Sequence, residues 1–228
     1  MPDYVFDPPS PSVVPVAGGG FFPVRRVFCV GRNYAEHARE MGHDPSREPP
    51  FFFMKPTDAL VISHDDTPYP PATTDLHHEI ELVVAIGREA TGIATGAALE
   101  HVWGYAAGID LTRRDLQAEA KRLARPWDMA KGFDSSAPIG DIAPASKIGH
   151  PANGRITLAV NGTTRQDGDL GDMIWSVPEA VAYLSTLVTL MPGDLIFTGT
   201  PAGVSAVVQG DRLEGEIQGI GAVGTTIA

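Results

Sequence analysis

From position 25 onward the chain is a series of short apolar runs punctuated by Gly and Pro. The runs at 27–30, 51–54, 59–62, 80–86, 156–160, 195–198 and 222–227 have strand length and turn residues at their ends, which predicts strands rather than helices. A further strand-like run at 104–110 ends on an acid, Asp110. Helical signals are few. Asn33 is placed to cap a helix over 34–41 that closes near Gly42, and Thr112 to cap one over 113–124 with Asp115 at the capping-box position. Pro178 is placed to begin a third, reaching Leu190 and stopping before Pro192-Gly193. Asn161-Gly162, between two strand-like segments, predicts a hairpin turn. Strands outnumber helices without regular strand–helix alternation, so the predicted fold is α+β and β-rich, with a few short helices. Residues 1–24 carry Pro8, Pro9, Pro11, Pro15, Pro23 and Gly18-Gly19-Gly20, a composition that resists helix and central strand alike. They are predicted as an N-terminal surface arm before one domain over 25–228.

Composition narrows the function classes. A hydrophobic share of 43% and a charged share of 20% suit an ordinary globular protein. No run approaches the ~18 apolar residues of a membrane helix, and the Pro-rich, acidic N-terminus lacks the basic and apolar regions of a signal peptide, so a cytoplasmic protein is expected. The single cysteine, Cys29, rules out an internal disulfide and a cysteine-based zinc cluster, and its apolar neighbours place it in a buried strand. A net charge of -11 argues against nucleic acid as a partner. An anionic small molecule remains compatible if cations gather locally, and several of the 17 Lys and Arg residues do fall beside acids.

Glu79 and Glu81, in His77-His78-Glu79-Ile80-Glu81, are spaced so that both project from one face of a strand. With Asp110 they offer hard oxygen donors to a divalent cation with open positions, as catalytic Mg²⁺ or Mn²⁺ requires, although alternating acids also mark any half-exposed strand. His37 and Glu40, three apart on the first predicted helix, read either as a base oriented by an acid or as a solvated helix face. Arg113 and Arg114 stand in a helical first turn that disfavours cations, which suggests a nearby anion unless Asp115 or Glu119 neutralises them. Lys55 and Lys131 are single cations in apolar or Gly-containing runs, able to snorkel to water or to clamp a carboxylate or enolate. Thr198-Gly199-Thr200-Pro201 is a turn with hydroxyls and a free amide.

In order along the chain, Cys29-Val-Gly-Arg-Asn-Tyr34 with His37 and Glu40, Phe53-Met54-Lys55-Pro56, His77-His78-Glu79-Ile80-Glu81, Gly108-Ile109-Asp110-Leu-Thr-Arg-Arg-Asp115, Ala130-Lys131-Gly132-Phe133 and Thr198-Gly199-Thr200-Pro201 together resemble the fumarylacetoacetate hydrolase family. The likeness spans about residues 25 to 227. It implies the mixed β-roll and β-sandwich of that family's C-terminal domain, a homodimer, and Mg²⁺ or Mn²⁺ held by Glu79, Glu81 and Asp110. It also implies a catalytic His37–Glu40 dyad on a lid-like segment, Lys131 beside the metal, and substrate contacts from Arg32, Arg114, Gln117 and Thr200. The loop sequences Phe6-Asp7-Pro8-Pro9 and 41–53 are similar to the bacterial branch that hydrolyses acylpyruvates. The activity so implied is metal-dependent cleavage of a C–C bond in a 2,4-diketo acid anion, with fumarylpyruvate giving fumarate and pyruvate in gentisate-type aromatic catabolism. The alternative is oxaloacetate decarboxylation or 2-oxo-acid isomerisation at the same site.

Overall fold

The computed structural model describes residues 4–40 and 48–228, without the side chains of Ala38 and Glu40. All seven predicted strands form, with ends that move by a residue or so. The largest sheet runs in the order Phe51–Lys55, Arg26–Gly31, Asp194–Phe197, Ile80–Ile86, Val102–Ile109, Ala137–Ile139, Leu60–Ile62, with Ala143–Pro144 also paired to Val102–Ile109. Its pairing is mixed: Asp194–Phe197 lies parallel to Arg26–Gly31 and antiparallel to Ile80–Ile86. A four-stranded antiparallel sheet of Thr163–Asp169, Arg155–Val160, Arg212–Ile217 and Gly221–Thr226 packs beside it, and a small sheet joins Ser205–Val207, Leu76–His78 and Thr112–Arg113. The result is a curled, β-rich α+β fold. Among the described residues no helix is long and apolar enough to cross a membrane.

The central strand Ile80–Ile86 is buried throughout, and its pleat divides the core. Ile80, Leu82, Val84 and Ile86 enter the larger apolar cluster, with Leu158, Leu213 and helix residues Val181 and Leu184. Val83 and Ala85 enter the smaller one with Cys29, Phe197, Val14 and Phe22. Glu81 shares the parity of Val83 and Ala85, so a carboxylate ends a row of core side chains. Opposite it in the register is Gly108. A Cβ there would lie 2.6 Å from the Phe197 ring and 2.7 Å from a Val83 methyl, both inside the packed cluster. Gly108→Ala is therefore expected to cost about 1–3 kcal/mol of stability, measured by urea unfolding, because neither neighbour has room to retreat.

Four expectations need correction. Part of the N-terminal stretch is a hairpin, Val13–Pro15 against Phe21–Pro23, and Val14 and Phe22 are buried in the core, although residues 4–11 are exposed as a surface arm would be. Its turn uses Gly18, Gly19 and Gly20 at positive φ, so the glycines that argued against a strand are what close it. Asn33 does not act as a helix cap, because its amide donates to the carbonyls of Trp175 and Thr198 and accepts from the Trp175 amide. The helix is Ala35–Glu40, and the expected closure near Gly42 falls outside the described residues. Thr112 lies in a strand with its hydroxyl turned to Lys131 and Asp110, and the helix Arg114–Arg122 begins without a side-chain cap. The last helix, Val177–Leu187, is set by a Ser176/Glu179 capping box around Pro178, and stops short of Leu190, which bridges to Ala90. The hairpin at Asn161-Gly162 forms with both residues at positive φ, and it carries the polar strand Thr163–Asp169 that apolar periodicity could not reveal.

Candidate active site

Strand ends and a helix start bring the acids together. Glu81 lies in Ile80–Ile86, whereas Glu79 occupies the break between that strand and Leu76–His78, so the pair is not on one regular strand. Asp110 follows the end of Val102–Ile109, and its amide donates to the Glu79 carbonyl at 2.8 Å. That bond holds the two strand ends in step. One oxygen from each of Glu79, Glu81 and Asp110 lies within 4.8 Å of the others, and all three residues are buried.

Three cations hold two of these carboxylates. The Lys131 ammonium donates to Glu79 at 2.8 Å, Asp110 at 2.6 Å and the Thr112 hydroxyl at 2.6 Å, which uses all its hydrogens. Arg114 donates to the second Glu79 oxygen at 2.5 Å and to Gln117 at 2.7 Å. Lys55, wholly buried behind the site, pairs with the other Asp110 oxygen at 2.8 Å and donates to the backbone carbonyls of Leu111 and Lys131. Burial opposes charge on Glu79, yet Lys131 and Arg114 outweigh it and hold its pKa below the usual carboxylate value. Lys131 is likewise raised against burial by Asp110 and Glu79.

Glu81 differs. Its carboxylate accepts from the Gly199 amide at 2.7 Å, and among the described residues no ammonium or guanidinium pairs with it. Burial, then the facing Asp110 and Glu79, push its pKa well above the ordinary value. A buried carboxylate confronted by two others is a demand for positive charge, and three converging hard oxygens suit Mg²⁺ or Mn²⁺ with positions left open for substrate. These residues fit such an ion.

Arg32, His37, Glu79, Glu81, Asp110, Arg114, Gln117, Lys131 and Thr200 all line one pocket. His37 is 7% exposed, and the Glu40 side chain lies outside the described residues. Free space beside the acids is about 30 Å³, above the roughly 10–15 Å³ that one water needs. A roomier concavity of about 550 Å³ over the four-stranded sheet has its Arg212 already paired to Glu214 and gathers no such cluster.

Lys121 and Trp127 also line the pocket that holds the acids, unnoticed in the sequence, together with Phe53 of the Phe53-Met54-Lys55-Pro56 run. Lys121 could have been found, since 114, 117 and 121 follow one another up a single helical face. Gln166 could not: it is the one buried side chain of an otherwise polar strand. Its Oε1 accepts from the Ile80 amide at 3.0 Å, which fixes the side-chain orientation. Its Nε2 then donates to the Pro201 carbonyl at 2.9 Å and to the Thr200 hydroxyl at 2.8 Å. Thr200 thus accepts from behind, leaving its own proton to point into the pocket. Behind Gln166, His78 donates from Nδ1 at 2.9 Å, and burial lowers the pKa of that histidine. Gln166→Leu is expected to raise KM about tenfold, with a smaller effect on kcat, as loss of one ligand hydrogen bond would. Steady-state kinetics beside Thr200→Val would check this, because the two variants should weaken binding alike.

Residues 26–228 match the model of the fumarylacetoacetate (FAA) hydrolase C-terminal family. Fumarylpyruvate hydrolase from Pseudomonas aeruginosa, solved in complex with Mn²⁺ and pyruvate, superposes with a TM-score of 0.97 at 52% identity, covering 99% of each chain. Mitochondrial oxaloacetate tautomerase of Bos taurus is 41% identical over 196 residues, covering 86% of this chain and 88% of its own. A 5-carboxymethyl-2-hydroxymuconate delta-isomerase from Mycobacterium smegmatis superposes with a TM-score of 0.82 at 32% identity, covering 91% of this chain and 80% of its own.

Proposed function

The chain belongs to the fumarylacetoacetate hydrolase family, and from that premise we propose that it is a metal-dependent acylpyruvate hydrolase acting on fumarylpyruvate. The observation that carries this reading is its likeness, over 99% of both chains, to a fumarylpyruvate hydrolase solved with Mn²⁺ and pyruvate. Glu79, Glu81 and Asp110 would hold Mg²⁺ or Mn²⁺, which supplies a Lewis acid for the 2-oxo-acid end of the substrate. Thr200, its hydroxyl directed by Gln166, donates to the carboxylate at that end. Arg114 and Gln117, fixed to one another and to Glu79, form the adjoining wall. His37, buried in the same pocket, takes a proton from water, with Glu40 three residues further along the same short helix. The hydroxide so formed adds to the distal C4 carbonyl. The C3–C4 bond then breaks, its electron pair remaining on C3, and protonation of C3 completes pyruvate as fumarate departs. The Lys131 ammonium offsets the negative charge that develops at the pyruvate end.

Likeness to an oxaloacetate tautomerase supports a second reading. Enolisation at this site needs charge stabilisation and proton transfer but no hydrolytic water. The test is a Mg²⁺- and Mn²⁺-dependent assay with fumarylpyruvate, acetylpyruvate and oxaloacetate, products being resolved by chromatography. Fumarate and pyruvate in equal amounts support the hydrolase; turnover of oxaloacetate alone overturns it.

A further inference from the structure

Among the described residues, two cations on the pocket wall answer to no acid. Arg114, Lys131 and Lys55 are committed to Glu79, Asp110 and their neighbours. Arg32 and Lys121 line the same pocket, yet among the described residues neither has a carboxylate partner. Each rests on an aromatic face instead. The Arg32 guanidinium lies 5.5 Å from the Phe51 ring centre, and the Lys121 ammonium lies 5.1 Å from that of Trp127. The two rings meet edge to face with centroids 5.3 Å apart, so the cations stand on one aromatic floor.

This arrangement carries a cost that packing does not explain. Arg32 adopts a left-handed backbone, φ 57°, and its Nε is buried without a hydrogen-bond partner. Lys121 is half-buried, and desolvation followed by the fields of Arg114 and Arg32 draws its pKa down to about 8. An anion placed between the two would satisfy the orphaned Nε, relieve the repulsion and gain charge-assisted hydrogen bonds. In a protein of net charge -11 such a seat is local and built by the fold.

We propose that Arg32 and Lys121, on the Phe51–Trp127 ring pair, form the receptor for the substrate's second carboxylate and select dicarboxylate over monocarboxylate acylpyruvates. The proposal rests on the acylpyruvate reading for its substrate, while the seat itself can be tested without turnover. Lys121→Met keeps the stem that covers Trp127 and removes the charge. The wild-type preference for fumarylpyruvate over acetylpyruvate, as a ratio of kcat/KM values, is expected to fall about 10- to 100-fold in this variant, the loss of a charged hydrogen bond. An unmoved ratio overturns the seat. Should no acylpyruvate be turned over, calorimetric titration of the Mn²⁺-loaded protein with fumarate and with pyruvate still decides. Weaker fumarate binding in Lys121→Met than in wild type, relative to pyruvate, supports the seat. Equal fumarate affinity overturns it. Arg32→Met, which removes the other charge of the seat, offers a second variant with the same expected loss of preference.

Discussion

Glu81→Gln is expected to lower Mg²⁺ or Mn²⁺ affinity, and turnover with it, by about 100-fold or more, since even outer partners of a metal ligand are worth about 10- to 100-fold. The exchange is nearly isosteric, and the Gly199 amide keeps an oxygen to donate to, so packing around the strand end should survive. What disappears is the carboxylate charge that no described cation offsets. Folding thermodynamics provide an independent readout on metal-free protein. The folded pKa of Glu81 lies above its ordinary value of 4.5, so its contribution is fully present below that pH and is lost as pH rises through the folded value. Metal-free Glu81→Gln has no such loss. At neutral pH it should therefore be at least as stable as metal-free wild type, with the difference growing as pH rises. Wild-type metal uptake should also release protons, visible in calorimetry across buffers of different ionisation enthalpy. Unchanged metal-dependent turnover in the variant would remove the carboxylate trio from the mechanism.

His37→Ala is expected to reduce kcat for C–C bond hydrolysis by about 10²- to 10⁴-fold, the usual worth of a positioned general base. His37 sits on a helix of only six residues, Ala35–Glu40, too short to be stable except through its contacts with the rest of the fold. Its ring nonetheless lies close enough to Glu79 for its charge to lower that pKa. Metal affinity should be retained, because the three carboxylates are untouched. That separation distinguishes a base from a ligand. If oxaloacetate enolisation persists in the variant while fumarylpyruvate cleavage is lost, one site serves both chemistries and His37 belongs to the hydrolytic one. Loss of Mn²⁺ binding together with hydrolysis would instead make His37 part of the ion's support.

Apolar runs bounded by Gly and Pro were sufficient for the seven strands, because a buried strand needs continuous apolar side chains and a turn at each end, and both are local. The same locality exposed the acids: Glu79, Glu81 and Asp110 stand at the ends of apolar runs, where a charge is out of place unless something holds it. Pairing across distance was not written there. Asn33 has the composition of a cap, but three backbone groups at Trp175 and Thr198 compete for its amide, and the nearer local role loses. Thr112 is drawn from its helix by Lys131 for the same reason. Which cation serves which acid also depended on the tertiary structure. Lys55 and Lys131 read alike in sequence, yet one props Asp110 from behind while the other bridges Glu79 and Asp110 inside the pocket. Gln166 reaches Thr200 only because a polar hairpin strand folds across the turn that carries it. The sequence by itself determined the strands, the three acids and the family they resemble, since each follows from residue type and short spacing. Only the tertiary structure decided that, among the described residues, Glu81 is left without a cation and Lys121 without an acid, because the balance of buried charges depends on distances between segments far apart in the chain.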